Sequence, residues 1–156
     1  MKLYDYALVS GGFDPVHIGH LQMFQEAGKL ADQVIILLNS DDWLVRKKGK
    51  VFMDAEQRKS ILEEMECVSR VIIQSGDEDD SSSNALMNFA LQNSDSKICF
   101  CNGGDRKDNE TIREATTCNT YNISLEFGIG GNYKAASSSE LLDNYVSKPV
   151  ERPWGR

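Results

Sequence analysis

Between residues 33 and 39 the chain reads QVIILLN, five apolar residues in a row with no polar residue alternating among them. A strand with one wet face alternates; an unbroken apolar strand is covered on both faces, as in a parallel sheet. Four more segments suit strands: YALVS at 6–10, VSRVIIQ at 68–74, KICFCN at 97–102 and YNISLEFG at 121–128. Helical patterns separate them. HIGHLQMFQEAGKLA at 17–31 carries a stripe of Leu21, Met23, Phe24, Ala27 and Leu30. Asp54 and Gln57 form a capping pair before Ile61, Leu62 and Met65. ALMNFALQN at 85–93, TIREATTC at 111–118 and ELLDNYV at 140–146 complete the set, and 40–53 reads as a polar, basic loop with a helical turn. Strands alternating with helices predict an α/β fold, a doubly wound five-stranded parallel sheet of Rossmann-like build. One domain is expected over 1–147, followed by an irregular tail at 148–156.

In such a sheet a ligand sits beyond the carboxyl ends of the strands, near the point where strand order reverses. Four loops fall there: GGFDPVHIGH, NSDDWLVRKKGK, NGGDRKD and GIGGNYKAASSS. The formal net charge is -7, which argues against a nucleic-acid or anionic-membrane partner and makes the basic run RKKGK at 46–50 stand out. No apolar run approaches a membrane span, and the N-terminus is too short and acidic for a secretory signal, so a cytoplasmic protein is expected. Cys67, Cys99, Cys101 and Cys118 contain no C-x-x-C pair and read as buried free thiols, Cys99 and Cys101 on one strand face.

The first loop carries the most chemistry. Gly11 and Gly12 let the backbone approach a ligand, and N–H groups at the following helix start form an anion site. His17 and His20, the only histidines, are three apart and share a helix face, so both imidazoles can point at one phosphate. Such a pair also suits plain helix capping. Lys47, Lys48 and Lys50 are candidates for holding phosphate, with a solvated basic loop as the alternative. Gly103 and Gly104 permit backbone contact with a base, and Asp105 can accept from a ribose hydroxyl. Ser137, Ser138 and Ser139 can cap a helix or bind phosphate, and Lys134 adds charge nearby.

GGFDPVHIGH resembles the G-x-F-D-x-x-H-x-G-H signature of the nucleotidyltransferase superfamily that includes the cytidylyltransferases. Gly11 (or Gly12, with one residue of ambiguity), Phe13, Asp14, His17, Gly19 and His20 match it. The segment LLNSDDWLVRKKGKVFMDAEQRKSIL resembles the next block of glycerol-3-phosphate cytidylyltransferases and heptose-1-phosphate adenylyltransferases, NGGDR their ribose block, and KAASSSELL their phosphate-binding helix start. The resemblance implies an enzyme that moves CMP or AMP from CTP or ATP to a phosphorylated small molecule, by in-line attack on the α-phosphorus. It implies that His17, His20 and Lys50 act in catalysis. Nucleotide binding would fall to Gly11, Gly12, Phe13, Lys47, Gly103, Asp105, Ser137, Ser138 and Ser139, and acceptor binding to Asp41, Arg58 and Lys134. Departures are Gly49, where a family lysine falls, and Asn132 or Lys134 in place of an arginine. Magnesium is expected with the triphosphate, with no protein ligand named, and a homodimer is expected. HIGH also occurs in class I aminoacyl-tRNA synthetases, but those need a longer chain and a Lys-Met-Ser-Lys-Ser block. A non-catalytic nucleotide sensor on the same fold is the other reading. The tail SKPVERPWGR resembles the entry segment of a cupin-type sugar-phosphate isomerase or mannose-1-phosphate guanylyltransferase domain, as in a longer bifunctional enzyme.

Overall fold

The computed structural model describes residues 2–74, 80–103, 113–130 and 137–147. Five parallel strands, β1 (Tyr4–Gly11), β2 (Ala31–Asn39), β3 (Arg70–Gln74), β4 (Ile98–Cys101) and β5 (Ser124–Glu126), form one sheet in the order β3-β2-β1-β4-β5. The order reverses at β1, so the loops after β1 and β4 flank the switch point. Among the described residues six helices lie between or after the strands: α1 (Ile18–Leu30), α2 (Asp41–Lys48), α3 (Ala55–Glu63), α4 (Ser83–Gln92), α5 (Ala115–Thr120) and α6 (Ser138–Ser147). The doubly wound parallel sheet read from the sequence is the fold found.

The unbroken apolar run of β2 has a direct cause. Val34, Ile36 and Leu38 pack on one face with Phe24 and Ala27 of α1 and Leu62 of α3. Ile35 and Leu37 pack on the other with Leu86, Phe89 and Ala90 of α4 and Cys118 of α5. With helices on both sides, neither face of the central strands can be polar. Cys99 and Cys101 share a face, as their spacing predicts, with sulfurs 3.8 Å apart and unbridged.

Three expectations need correction. Residues 41–48 are not a loop with one turn but a helix of eight residues. Ser40 caps it, its Oγ accepting from Trp43 N at 3.2 Å, and Gly49 ends it in the left-handed region at φ 80. Asp41 and Asp42 in its first turn and Arg46, Lys47 and Lys48 in its last complement the helix dipole. Only Leu44 is buried, which is why apolar periodicity does not reveal it. The fifth strand is three residues, Ser124–Glu126, rather than eight, and the fifth helix covers Ala115–Thr120 rather than 111–118, of which 111–112 lie outside the described residues. The tail at 148–156 also lies outside them. Among the described residues no helix is long and apolar enough to cross a membrane.

Candidate functional site

The site is built around the turn from β1 into α1. A Cβ on Gly11 would stand 2.8 Å from the Phe13 ring, and one on Gly12 would stand 2.9 Å from Leu44 Cδ2 of α2. The glycines thus admit two close neighbours, the Phe13 ring of their own loop and the Leu44 side chain of α2. Phe13 takes the left-handed conformation, φ 51, and turns its buried ring inward, edge-on to His20 at 4.8 Å and to Phe24 at 5.2 Å. Phe13 therefore underlies the histidines, and its ring is part of the core. Asp14, also buried, accepts from two backbone amides: Phe52 N to Oδ2 at 2.6 Å and Met53 N to Oδ1 at 2.7 Å. That pair of bonds pins the segment after α2 to the histidine loop.

His17 is the N-cap of α1. Its Nδ1 accepts from Gly19 N at 3.1 Å, and its own backbone N–H donates to His20 Nδ1 at 3.2 Å. The two rings stack with centroids 3.7 Å apart and planes 20° from parallel. Capping therefore uses the Nδ1 atom of each ring. Each Nδ1 is occupied as an acceptor, which places the ring proton on Nε2. Burial, and then the charges of His17 and Lys48, holds His20 down to about 3, so that at neutral pH it is an uncharged donor.

Arg58 of α3 is buried, and its donors are spent inside the protein. Nε donates to Met53 O at 2.9 Å, Nη1 to Gly12 O at 2.7 Å and to Asn39 O at 2.8 Å, and Nη2 to Asp41 Oδ1 at 2.7 Å. One guanidinium thus ties the ends of β1 and β2 to the start of α2. Asp41 meets Arg58 directly, although its side chain is still 43% exposed. Of the lysines, Lys47 pairs with Asp80 at 3.6 Å, whereas Lys48 is the one whose charge is felt at His20. Lys50 is exposed beyond Gly49.

The serines arrive from the far end of the chain. Ser137 caps α6, its Oγ 3.5 Å from Glu140 N, and buried Ser138 donates from Oγ to Pro15 O at 2.7 Å. Ser139 is exposed. Gly130, at φ 85, lies against α1, where a Cβ would come within 3.3 Å of Met23 Cα. Gly103 follows Asn102, whose N–H donates to Glu126 O at 2.8 Å and whose carbonyl accepts from Ile129 N at 3.0 Å. The structure therefore gathers the histidines, Lys48 and the α6 start at the carboxyl edge of the sheet. Gly104, Asp105, Asn132 and Lys134 lie outside the described residues. Sequence reasoning gave Asp14 no role, though it stands in the fixed part of the motif, and assigned roles to Lys47 and Lys50 rather than to Lys48. Among the described residues no group of three or more His, Cys, Asp or Glu side chains could hold a metal, so these residues offer no cage for a cation.

A histidine pair and a helix tip at the switch point of a doubly wound parallel sheet define a Rossmann-like nucleotidyltransferase architecture. The chain belongs to the cytidylyltransferase-like family, whose model matches residues 8–141. It is 37% identical over 73 residues to the FAD synthase of Archaeoglobus fulgidus, covering 47% of this chain and 51% of that one. It is 36% identical over 66 residues to the glycerol-3-phosphate cytidylyltransferase of Staphylococcus aureus, covering 42% and 50%. The matched region thus spans about half the length of these curated relatives. Among solved structures, the lipopolysaccharide core biosynthesis protein of Thermoplasma volcanium superposes with a TM-score of 0.61 at 21% identity, over 80% of this chain and 93% of that one. A bifunctional NMN adenylyltransferase/ADP ribose pyrophosphatase of Francisella tularensis gives 0.62 at 17% identity, over 95% and 43%. At those identities the structural likeness speaks for the fold.

Proposed function

We propose that this protein transfers CMP or AMP from CTP or ATP to a phosphorylated small molecule and releases pyrophosphate. The observation that carries the reading is the stacked histidine pair at the carboxyl edge of the sheet, with each Nδ1 committed to the start of α1. An oxygen of the acceptor phosphate attacks the α-phosphorus, the new P–O bond forms in line with the breaking one, and the β- and γ-phosphates leave together. Charge gathers on the phosphate oxygens during this exchange. His17, His20 and Lys48 meet it without a covalent intermediate, by positioning and charge stabilisation. The α6 start and Lys50 supply further phosphate contacts, and Asp41, the exposed member of its pair, faces the acceptor. Magnesium, held by the phosphate oxygens of the triphosphate, would supply charge neutralisation there. A homodimer and a cytoplasmic setting belong to the same reading.

Likeness to both a glycerol-3-phosphate cytidylyltransferase and an FAD synthase supports both nucleotides, so the test is a pyrophosphate-release screen. Four NTPs are run against sugar phosphates, glycerol-3-phosphate and flavin mononucleotide. Signal is expected with CTP or ATP. His17→Ala and His20→Ala should each lower turnover by roughly 10²–10³ while the fold is retained. Full activity in both variants would overturn the assignment of these rings.

A further inference from the structure

α2 is gripped on a second side, away from Arg58. Trp43, Arg46 and Lys47 all close on one residue, Asp80, just before α4. Trp43 Nε1 donates to the Asp80 main-chain O at 3.2 Å. Arg46 donates twice to Oδ1, from Nε at 3.1 Å and Nη2 at 2.9 Å, and Lys47 Nζ stands 3.6 Å from Oδ2. Asp80 makes these contacts from the left-handed region, φ 58. Aspartate tolerates that conformation better than most side chains, but it persists only where neighbours over-determine it.

Two consequences follow for the phosphate site. The carboxylate engages Arg46 and Lys47, so the charge that α2 turns toward His20 is that of Lys48. In addition, α2 seats directly on Gly12, with Leu44 and Trp43 where a Cβ would be. A rotation of α2 would therefore move both Lys48 and the floor of the histidine loop. We propose that Asp80 is a positioning residue: by clamping Trp43, Arg46 and Lys47 it fixes the rotation of α2, and with it the seat of Leu44 and Trp43 on Gly12 and the position of Lys48. Its consequence for turnover rests on the nucleotidyl-transfer reading above; the clamp itself does not.

The test is Asp80→Asn, which keeps the size, the tolerance of positive φ and the carbonyl that Trp43 uses, and removes the charge. Amide exchange over α2 should rise by about fivefold while α1 is unchanged, the scale of a lost surface ion-pair network. Unchanged exchange in α2 overturns the clamp, whatever the enzyme does. In the pyrophosphate assay kcat should fall by about tenfold, with KM for the acceptor within about twofold, since misplacement of a charge-stabilising group acts on the transition state. That loss should vanish in a Lys48→Met background, because both changes act through the same ammonium. Losses that multiply would overturn the link to Lys48 and leave Asp80 a general structural residue. Should the wild-type protein release no pyrophosphate with any pair of substrates, the reaction falls, and the exchange measurement still decides the clamp.

Discussion

Among single residues, the site works by assigning each polar atom a partner before any ligand arrives. The two Nδ1 atoms serve the start of α1, which leaves Nε2 as the donor on both rings. His20 shows the cost of that arrangement. Its folded value of about 3 lies below the ordinary 6.5, so below about pH 6.5 the unfolded chain binds a proton that the folded one refuses. Stability should therefore fall with acidification through that window, by up to about 1.4 kcal/mol per pH unit from this group, and be indifferent to it above. Urea midpoints between pH 7 and 4.5 should show a shallower slope in His20→Gln than in the wild type; equal slopes would mean that the folded ring accepts the proton. The histidines themselves were legible as a pair from their spacing. Arg58 was legible as the match to a family arginine, placed with the acceptor. Its burial and its bonds to Gly12, Asn39, Met53 and Asp41 depend on strands that meet only in the fold.

Among the secondary-structure elements, α2 decides how the basic run is used. Lys47, drawn to Asp80, and Lys48, whose charge reaches His20, are consecutive residues of one helix. Neighbours on a helix point about 100° apart, so a run that looks uniform as text is divided by rotation. The end of the helix is an independent test. Gly49 has φ 80, and a Cβ there would meet nothing within 4 Å, so substitution meets backbone cost alone. Gly49→Ala should lower stability by about 1 kcal/mol, and Gly49→Asn should recover part of it, since asparagine tolerates that region. Denaturant titration of the three proteins checks both; an unaltered midpoint in Gly49→Ala would mean that the helix ends otherwise. The signals for α2 were present in the sequence as Ser40, the acid-to-base gradient and Gly49. They were masked because a helix with one buried residue has no apolar stripe to read.

Across the molecule as a whole, the sheet buries thiols as thoroughly as it buries leucines. Burial raises Cys118 to about 12, and contact with Cys101 together with burial raises Cys99 as well. Cys67, between α3 and β3, is raised too but is only half-buried. A thiol reagent at pH 8 should therefore modify Cys67 first and reach the other three only on unfolding, with the early phase absent from Cys67→Ser. Rapid labelling of all four would show that the core opens. The sheet, its parallel sense and the pairing of the two histidines follow from the order of residues alone, because strand burial on two faces and the spacing of two histidines are local properties of the text. Which lysine pairs with Asp80, the inward turn of Arg58 and the docking of Ser138 on Pro15 emerge only once the chain is folded. Those pairings join segments from 5 to 123 residues apart and depend on how α2 and α6 are rotated against the sheet.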